Sequence, residues 1–546
     1  MRPTREPRPG VLESSPGRHV LIFLACCLLL GVGTAHAQQA RRPRIGGTVV
    51  IAGGSDLQSL NSIVNTDTWT REFIDHALFL RLITLNADLS YAPQLAQSYR
   101  LIGDSAVVFN IRRGVRWHDG RPTSAHDVAF TFERIKNEET ASPHVETFAN
   151  WTRAQVLDSF RIRFSFKPHV EPLFAWTQMA IMPKHLLDSI PAARLRQAAF
   201  NKNPIGNGPF RFVSQRANDR WVFEANRAFP ASLGGRPYLN RVIWRVIPEN
   251  TAQITEIRTG QVDVILGPRA ENVEALDKEP TMRAIIRPSN RYNMITWNGK
   301  REGLSDARVR RAITMSLNRA EMLQVLRRGY GTIAVSPIPP YHWAYDRTLQ
   351  PLPFDTAAAT RLLAAAGWVD RDRDGVRENA AGKRLEFELK VTANNQFNRD
   401  LGELVRAQLE RVGIKINVRP VDFAVMIKDI TDPARNYDGA YLQMSTDLVL
   451  NFHDAFHSST MDNDFHATAY RNPEVDRILD QVMVTKDRRT AAALWRRFQR
   501  IMRDDQPMTM TWWSPDLIVV RERLRGVNMD VRGALRSLPR WYVTGN

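Results

Sequence analysis

The chain has very little cysteine. Its 546 residues include only Cys26 and Cys27, and both lie in one apolar run near the start. Once that run is removed, no disulfide, thiolate nucleophile or cysteine-bound metal site can form. A large protein without disulfides depends on its hydrophobic core, and an apolar content of 43% is enough to build one.

The apolar run itself is too short to anchor the chain in a membrane. VLIFLACCLLLGVG (residues 20–33) has 14 residues, whereas about 20 are needed to span hydrocarbon. It follows four arginines and precedes Ala35-His36-Ala37, a small-x-small cleavage site. We therefore predict a cleavable signal peptide over residues 1–37 and a periplasmic protein that begins near Gln38. A membrane anchor and a lipoprotein attached at Cys26 are the alternatives.

The usual catalytic motifs are missing as well. The sequence has no GxxxxGK[ST] phosphate loop, no HExxH, no GxSxG and no paired metal-ligand cysteines. We predict that the protein is not an enzyme and carries no cofactor. An exported hydrolase is the alternative, because catalytic triads are defined by geometry and not by sequence spacing. A structural or chaperone-like envelope protein is another.

Positive charge is abundant. The net charge is +18, and residues 1–37 contribute four arginines and two glutamates, so the remainder keeps +16. Arginine is spread through segments such as RVRRAITMSLNRAEMLQVLRRG and is not concentrated in a stripe or tail. This distribution indicates a basic solvated surface and no nucleic-acid partner.

Two patterns resemble metal sites only weakly. DRDRDGVRE (residues 370–378) begins like a calcium loop, but Ala381 stands where that loop needs glutamate, so we interpret it as a polar turn. His453, His457 and His466 are close in sequence. No carboxylate or third histidine at a helical spacing completes a site, and we interpret them as loop histidines. The sequence thus predicts no metal site.

Length and pattern indicate a mixed α/β protein with more than one core, since single cores stop growing near roughly 250 to 300 residues. GGTVVIAGG predicts a strand, and the segment around residues 103–105 predicts a hairpin. TSAHDVAFTFERI predicts a capped helix. LEFELKVTA, NRDLGELVRAQLERVG and IKINVRPV read as strand, helix and strand, which is typical of a parallel crossover.

Seven segments, in order along the chain, resemble family 5 extracellular solute-binding proteins, the periplasmic dipeptide, oligopeptide and nickel-binding components of ABC importers. The strongest is APQLAQSYRLIGDSAVVFNIRRGVRWHDGRPTSAHDVAFTFERI. NPIGNGPFRF resembles the family's Gly-Thr-Gly-Pro-Tyr turn, with Asn207 in place of threonine. The others are GGTVVIAGGSDLQSLN, IRTGQVDVI, LSDARVRRAITMSLNRAEML, AAATRLLAAAGW and YRNPEVDRIL.

The resemblance implies an α/β, two-lobed periplasmic binding protein of type II, cluster C-like, with an extra small domain and two hinge crossovers. We expect lobe I to be discontinuous, with residues 38–64, 180–290 and 507–546, and the small domain to cover residues 65–179. Lobe II then covers residues 291–506. The expected crossovers are RYNMITWN and MTMTWWSPDLIVV.

The resemblance also implies a ligand site. Peptide-binding relatives carry a Gly-Trp-x-x-Asp-type segment whose acid pairs with the peptide amino group. Here Asp447 matches that acid, whereas Met444 stands where tryptophan is usual. The remaining expected ligand-binding residues are Ser445, Trp297, Asn298, Trp512 and Trp513, with core packing as the alternative role for the tryptophans. A peptide is the expected ligand, with a nickel chelate or an oligosaccharide as alternatives. The expected partners are the ligand and ABC permease subunits, and we expect a monomer.

Overall fold

A computed structural model describes residues 43–461 and 466–544 of the chain. The predicted signal peptide, residues 1–37, lies outside the described residues. In the described part, no helix combines the length and the apolar character that a membrane span requires.

The described strands form two large sheets, one smaller sheet and two short ribbons. In chain order, the described strands are β1 (Thr48–Gly53), β2 (Ile83–Leu85), β3 (Tyr91–Pro93), β4 (Ala96–Ile102), β5 (Ala106–Ile111), β6 (Trp151–Asp158), β7 (Arg161–Phe166), β8 (Phe210–Arg216), β9 (Arg220–Ala225), β10 (Arg241–Val246), β11 (Val264–Leu266), β12 (Met282–Arg287), β13 (Arg291–Trp297), β14 (Thr332–Ile333), β15 (Glu386–Thr392), β16 (Lys415–Val421), β17 (Gly439–Ser445), β18 (Met508–Trp513), β19 (Asp516–Arg521), β20 (Leu524–Arg525) and β21 (Tyr542–Val543).

Helices connect these strands and cover the sheets. In chain order, the described α-helices are α1 (Thr68–Phe73), α2 (Ala125–Lys136), α3 (Lys184–Leu187), α4 (Asn250–Thr259), α5 (Ala270–Asp277), α6 (Ala307–Ser316), α7 (Arg319–Arg327), α8 (Thr356–Ala365), α9 (Gln396–Glu410), α10 (Phe423–Thr431), α11 (His453–Phe456), α12 (Pro473–Val482) and α13 (Arg488–Asp505).

The first large sheet has seven strands in the order β12-β19-β11-β1-β10-β9-β8. Its central strand β1 is the predicted strand of GGTVVIAGG, and it pairs in parallel with β10 and β11. Since strands from the start, middle and end of the chain pair here, the sheet is discontinuous in sequence.

The second large sheet has six strands in the order β14-β18-β13-β17-β15-β16. One edge of this sheet is the strand-helix-strand unit that the sequence predicts. Strand β15, helix α9 and strand β16 follow one another, and the two strands pair in parallel. Leu401, Val405 and Leu409 of α9 are buried against the sheet, as their helical spacing predicts.

A four-stranded antiparallel sheet, β4-β5-β7-β6, forms a smaller unit. Its first two strands are the predicted hairpin. The predicted helix is α2, and Ser124 and Asp127 cap its first turn reciprocally. Phe132 of α2 packs on a buried aromatic group that includes Trp151 and Trp176, whose rings meet edge to face with centroids 5.8 Å apart.

Candidate ligand-binding site

The chain passes between the two large sheets twice. Residues 288–290 lead from β12 in the seven-stranded sheet to β13 in the six-stranded sheet. Residues 514–515 lead back from β18 to β19. The segment RYNMITWN therefore supplies strand β13 and begins directly after the first crossover, whereas MTMTWWSPDLIVV contains the second.

Hydrogen bonds hold the two crossovers side by side. The Ser289 hydroxyl donates to the carbonyl of Ser514, and the Ser514 amide donates to the carbonyl of Arg291 at 2.9 Å. The Asn293 side-chain amide donates to the Ser514 hydroxyl at 2.6 Å. A bend here would involve only five residues, which is the usual size of a hinge between lobes.

One carboxylate neutralises two arginines at these crossovers. Asp516, the first residue of β19, pairs with Arg287 at the end of β12 and with Arg291 at the start of β13. Its side chain is only 10% exposed. Asp516 thus ties together three strand ends that belong to both large sheets.

A cavity of about 420 Å³ lies beside the crossovers. Its volume is within the range typical of small-molecule sites. Its walls come from α1 and the turns after it, from the loop after β17, from the crossovers and from the C-terminal segment. The lining residues that carry charge, or do so when protonated, are Arg71, Glu72, Asp75, His76, Arg81, His144, Arg287, Arg291, Asp447, Asp516 and Arg532.

Most of the acids in this cavity already have protein partners. Asp75 lies 3.5 Å from the Arg71 guanidinium and 3.4 Å from that of Arg81. Glu72 accepts hydrogen bonds from the backbone amides of Ala534 and Leu535, each at 2.9 Å. Despite these bonds, burial raises the pKa of Glu72.

Asp447 is the exception. It lies just after β17, it is exposed to solvent, and it lines the cavity. Its carboxylate makes no hydrogen bond or ion pair with any other described residue. Burial raises the pKa of Asp447, and Arg71 acts in the opposite direction. The site therefore holds a solvent-exposed carboxylate that the other described residues leave without a partner.

The histidines of the cavity are neutral at pH 7. Burial lowers the pKa of His144 to about 4, and the positive charge of Arg71 contributes. Burial and then Arg81 hold the pKa of His76 well below its usual value. Cationic charge in the cavity therefore comes from the arginines.

The other expected ligand-binding residues lie outside the lining of this cavity. Trp297 and Trp512 are fully buried in the core under the six-stranded sheet, and the indole of Trp297 donates to the Thr509 hydroxyl at 3.0 Å. Trp513 is buried in a separate core cluster, where it packs against Tyr292 with ring centroids 5.2 Å apart.

The three remaining expected residues are Asn298, Met444 and Ser445. The Asn298 side-chain amide donates to the carbonyls of Arg435 and Tyr437 at 3.0 and 2.8 Å. Met444 packs against the core cluster of Trp513, and Ser445 ends β17. Of the seven expected residues, only Asp447 lines the 420 Å³ cavity. A ligand role for the other six stays a prediction.

Sequence reasoning missed Arg71, Arg81, Arg287, Arg291 and Asp516. Arg291 and Asp516 did carry a signal, because each is a charged residue at the edge of an apolar run in the segments expected to cross between lobes. The arginines of α1 and its following turn carried none. Nothing in their local sequence separates them from the many surface arginines of this basic chain.

A wider cavity of about 1390 Å³ adjoins the first and shares Arg291 and Asp516 with it. Its walls come mainly from α5, α7 and α9, and it does not include Asp447. We take the smaller cavity as the candidate site, because it contains the carboxylate that has no protein partner.

Comparison with known proteins gives a consistent picture. The sequence profile of "Bacterial extracellular solute-binding proteins, family 5 Middle" matches residues 90–465. The oligopeptide-binding protein AppA of Bacillus subtilis is 27% identical over 529 residues, covering 96% of each chain. The glutathione-binding protein GsiB of Salmonella choleraesuis is 22% identical, over 94% of this chain and 96% of its own.

Solved structures agree on the fold. AppA from Bacillus subtilis in complex with a nonapeptide superposes with a TM-score of 0.72 at 26% identity, over 92% of this chain and all of AppA. NikZ from Campylobacter jejuni, in complex with Ni(L-His), has a TM-score of 0.72 at 23% identity, over 91% of this chain and 99% of NikZ.

These likenesses confirm the expected fold class. The fold is that of a two-lobed type II periplasmic binding protein of mixed α/β structure, with a small additional domain and two crossovers. The family profile spans most of the chain, and the chain therefore belongs to the bacterial extracellular solute-binding proteins of family 5, the solute-binding components of ABC transporters.

Proposed function

We propose that this protein captures a peptide in the cavity beside its crossovers, with Asp447 as the partner of the peptide's α-amino group. The observation that carries the proposal is the Asp447 carboxylate, which lines the cavity without a protein partner among the described residues. Asp447 is exposed in this structure, and a ligand enclosed by the lobes would remove its carboxylate from bulk water. A carboxylate in that state needs a charge-assisted hydrogen bond, and an ammonium group supplies one.

The arginines support the same ligand class. Arg71 and Arg81 share the single carboxylate of Asp75, and Arg287 and Arg291 share that of Asp516. Each of these groups has two guanidiniums to one carboxylate, and the described cavity lining as a whole holds five arginines and four acids. A zwitterionic peptide complements both features, because its amino end suits Asp447 and its carboxylate suits the arginines.

The known relatives differ in their ligands. AppA is described as an oligopeptide-binding protein and GsiB as a glutathione-binding protein, whereas NikZ was solved with a nickel complex of histidine. A nickel chelate is therefore the second candidate. The peptide is favoured here because Asp447 occupies the position of the family's amine-binding acid.

Export, delivery and the division of the chain into two lobes complete the proposal. The predicted signal peptide supports a periplasmic location, and family membership supports delivery of the unchanged ligand to ABC permease subunits by a monomer that is not an enzyme. We retain the discontinuous lobe division, with the second crossover placed at residues 514–515 because β18 pairs within the six-stranded sheet.

Substitution of Asp447 tests the ligand assignment. A thermal-shift panel of dipeptides, longer peptides and nickel chelates first identifies a stabilising ligand, and its recovery unchanged excludes turnover. Calorimetric titration then compares wild type with Asp447→Asn. Truncating one member of a desolvated charge pair costs on the order of 2 to 5 kcal/mol. We therefore expect peptide affinity to fall by roughly thirty-fold or more, at about 1.4 kcal/mol per decade.

Two controls make the test specific. Asp454→Asn removes an exposed acid that does not line the cavity, and it should leave the affinity unchanged. An N-acetylated form of the same peptide lacks the ammonium group, and it should bind wild type and Asp447→Asn equally weakly. Peptide binding by a correctly folded Asp447→Asn protein within about two-fold of wild type would show that Asp447 does not hold the amino group.

A further inference from the structure

Two histidines and an aspartate converge at a second place, outside the cavity lining. His453 begins α11 and His457 follows its end, while Asp480 lies in the last turn of α12. These residues do not line the 420 Å³ cavity. The tertiary structure thus supplies a carboxylate from 23 residues further along the chain, where the sequence near the histidines offered none at a helical spacing.

The distances within this group are unusual for hydrogen bonds. The Nε2 atoms of His453 and His457 lie 3.7 and 3.5 Å from the same oxygen of Asp480. Hydrogen bonds between nitrogen and oxygen normally span about 2.7 to 3.2 Å. The two imidazole rings are stacked, with centroids 4.2 Å apart and planes only 10° from parallel, so both rings present the same edge to Asp480.

The same distances suit ligands that share one metal ion. Each of the three side chains offers a ligand atom, and these atoms lie within 4.8 Å of one another. Around a tetrahedral zinc ion with bonds of about 2.0 to 2.2 Å, neighbouring ligand atoms are roughly 3.3 Å apart. At the Asp480 contacts, closing the group onto an ion needs shifts of only a few tenths of an ångström. The two imidazole rings must also turn towards each other, because near-parallel stacked rings direct their Nε2 lone pairs along parallel lines.

We propose that His453, His457 and Asp480 form a binding site for a divalent transition-metal ion of the zinc type. Two imidazole nitrogens and one carboxylate oxygen are a ligand set that zinc accepts, with water in the fourth position. The site is accessible, since the Asp480 side chain is 63% exposed and that of His453 is 31% exposed. This site is separate from the peptide cavity and does not depend on the proposed ligand.

Two contacts from Ser459 set the tautomer of His457 in the metal-free protein. The backbone amide of Ser459 donates to Nδ1 at 3.1 Å, and the Ser459 hydroxyl lies 2.6 Å from the same nitrogen. Nδ1 is therefore an acceptor here, and the proton lies on Nε2, which faces Asp480. Zinc binding at Nε2 requires the proton to lie on Nδ1, where the Ser459 hydroxyl can accept it, so the ring must turn away from the Ser459 amide.

Metal binding would add a link between two helices that already contact each other. Helix α11 packs against α12 in one core cluster, and the Ser458 amide donates to Asp476 of α12 at 2.8 Å. A bound ion would therefore reinforce the packing of α11, which follows the loop that carries Asp447, against α12. We expect it to raise the thermal midpoint of the protein, because an ion that binds only the folded state stabilises that state.

Zinc titration of the mature protein without an affinity tag tests the site. The protein is first stripped with EDTA and then titrated calorimetrically with Zn²⁺, and we expect one equivalent to bind. His457→Gln and Asp480→Asn should each weaken binding by more than about 10-fold, since removing even an outer partner of a metal ligand costs 10- to 100-fold. His126→Gln, which changes an exposed histidine at the start of α2, is the matched control and should bind like wild type.

Cobalt gives a second readout that does not depend on a variant. Co²⁺ bound to wild type should show the intense visible absorption of a four-coordinate site, and Zn²⁺ should displace it. The proposal is overturned if wild type shows neither stoichiometric zinc binding nor this spectrum. It is also overturned if zinc binding by His457→Gln and Asp480→Asn, with circular dichroism unchanged, stays within two-fold of wild type.

Discussion

Two buried histidines, His118 and His342, use both of their ring nitrogens in hydrogen bonds. Nδ1 of His118 accepts from the Gly206 amide at 3.1 Å, and its Nε2 donates to the Gly208 carbonyl at 3.1 Å. In His342, Nδ1 accepts from the Ala344 amide at 3.2 Å and Nε2 donates to the Leu448 carbonyl at 3.1 Å. A proton added at Nδ1 would face an N–H donor, so both rings fit only as neutral imidazoles.

These histidines make stability depend on pH. Burial lowers the pKa of each to about 4, compared with about 6.5 in an unfolded chain. Between these values the unfolded state binds more protons, so stability is complete above pH 6.5 and is lost as the pH falls towards 4. We expect a loss of up to about 1.4 kcal/mol per histidine for each pH unit in this window.

Thermal unfolding between pH 7 and pH 5 checks this expectation. Burial raises the pKa of Glu72 and of Asp127, and this acts in the opposite direction. The histidine contribution is therefore isolated as the difference between wild type and His342→Gln, which can still donate to Leu448. The variant should lose less stability on acidification than wild type. Parallel pH profiles for the two proteins would rule out His342 as a source of the acid sensitivity.

Local sequence predicted some residues of the candidate site but not their partners. Asp447 was found because it stands at a recognisable position in the chain. Arg71 and Arg287 were not found, because the cavity that they line is formed together with residues hundreds of positions away in the sequence. The tryptophans Trp297 and Trp512 illustrate the converse, because a large aromatic residue near a crossover fits a core as well as a cleft.

At the scale of elements, the crossovers depend on a carboxylate that is shared by both sheets. Arg287 belongs to the seven-stranded sheet and Arg291 to the six-stranded sheet, and Asp516 pairs with both. Without that carboxylate, the two guanidinium groups would repel each other beside the hinge.

Asp516→Asn should therefore destabilise the protein. The asparagine keeps the size of the side chain but removes its charge, and hydrogen bonds to charged groups contribute about 1.5 to 3 kcal/mol each. We expect a loss of that order in the free energy of unfolding, measured by urea denaturation. Asp188→Asn breaks an exposed pair with Lys184 and serves as the control, because surface ion pairs contribute little. Equal stability of Asp516→Asn and Asp188→Asn would exclude this role for Asp516.

Elements formed by neighbouring residues were predictable. The β4–β5 hairpin, helix α2 and the β15-α9-β16 unit all follow from periodicity, capping and turn residues within about 40 positions of sequence. The pairing of β1 with β10, or of β12 with β19, has no such local signal, since any apolar strand can pair with any other.

At the scale of the whole molecule, export is the step that the sequence predicts most directly. The arginine-rich start, the 14-residue apolar run and the Ala35-His36-Ala37 site predict cleavage after Ala37. We expect the protein recovered from a periplasmic fraction to have the mass of a chain that begins at Gln38 and to elute as a monomer. A mass that retains residues 20–33, or a diacylglycerol adduct on Cys26, would contradict this processing.

The sequence by itself determined the class of the molecule. Its length required more than one core, its periodicities specified local strands and helices, and its ordered segments predicted the family that the comparisons then confirmed. Only the tertiary structure decided which groups meet. It brought Asp447 into a cavity with distant arginines, and it placed Asp516 between two sheets and Asp480 beside two histidines. The physical reason is that secondary structure depends on residues a few positions apart, whereas sites form where the fold brings together residues that are far apart along the chain.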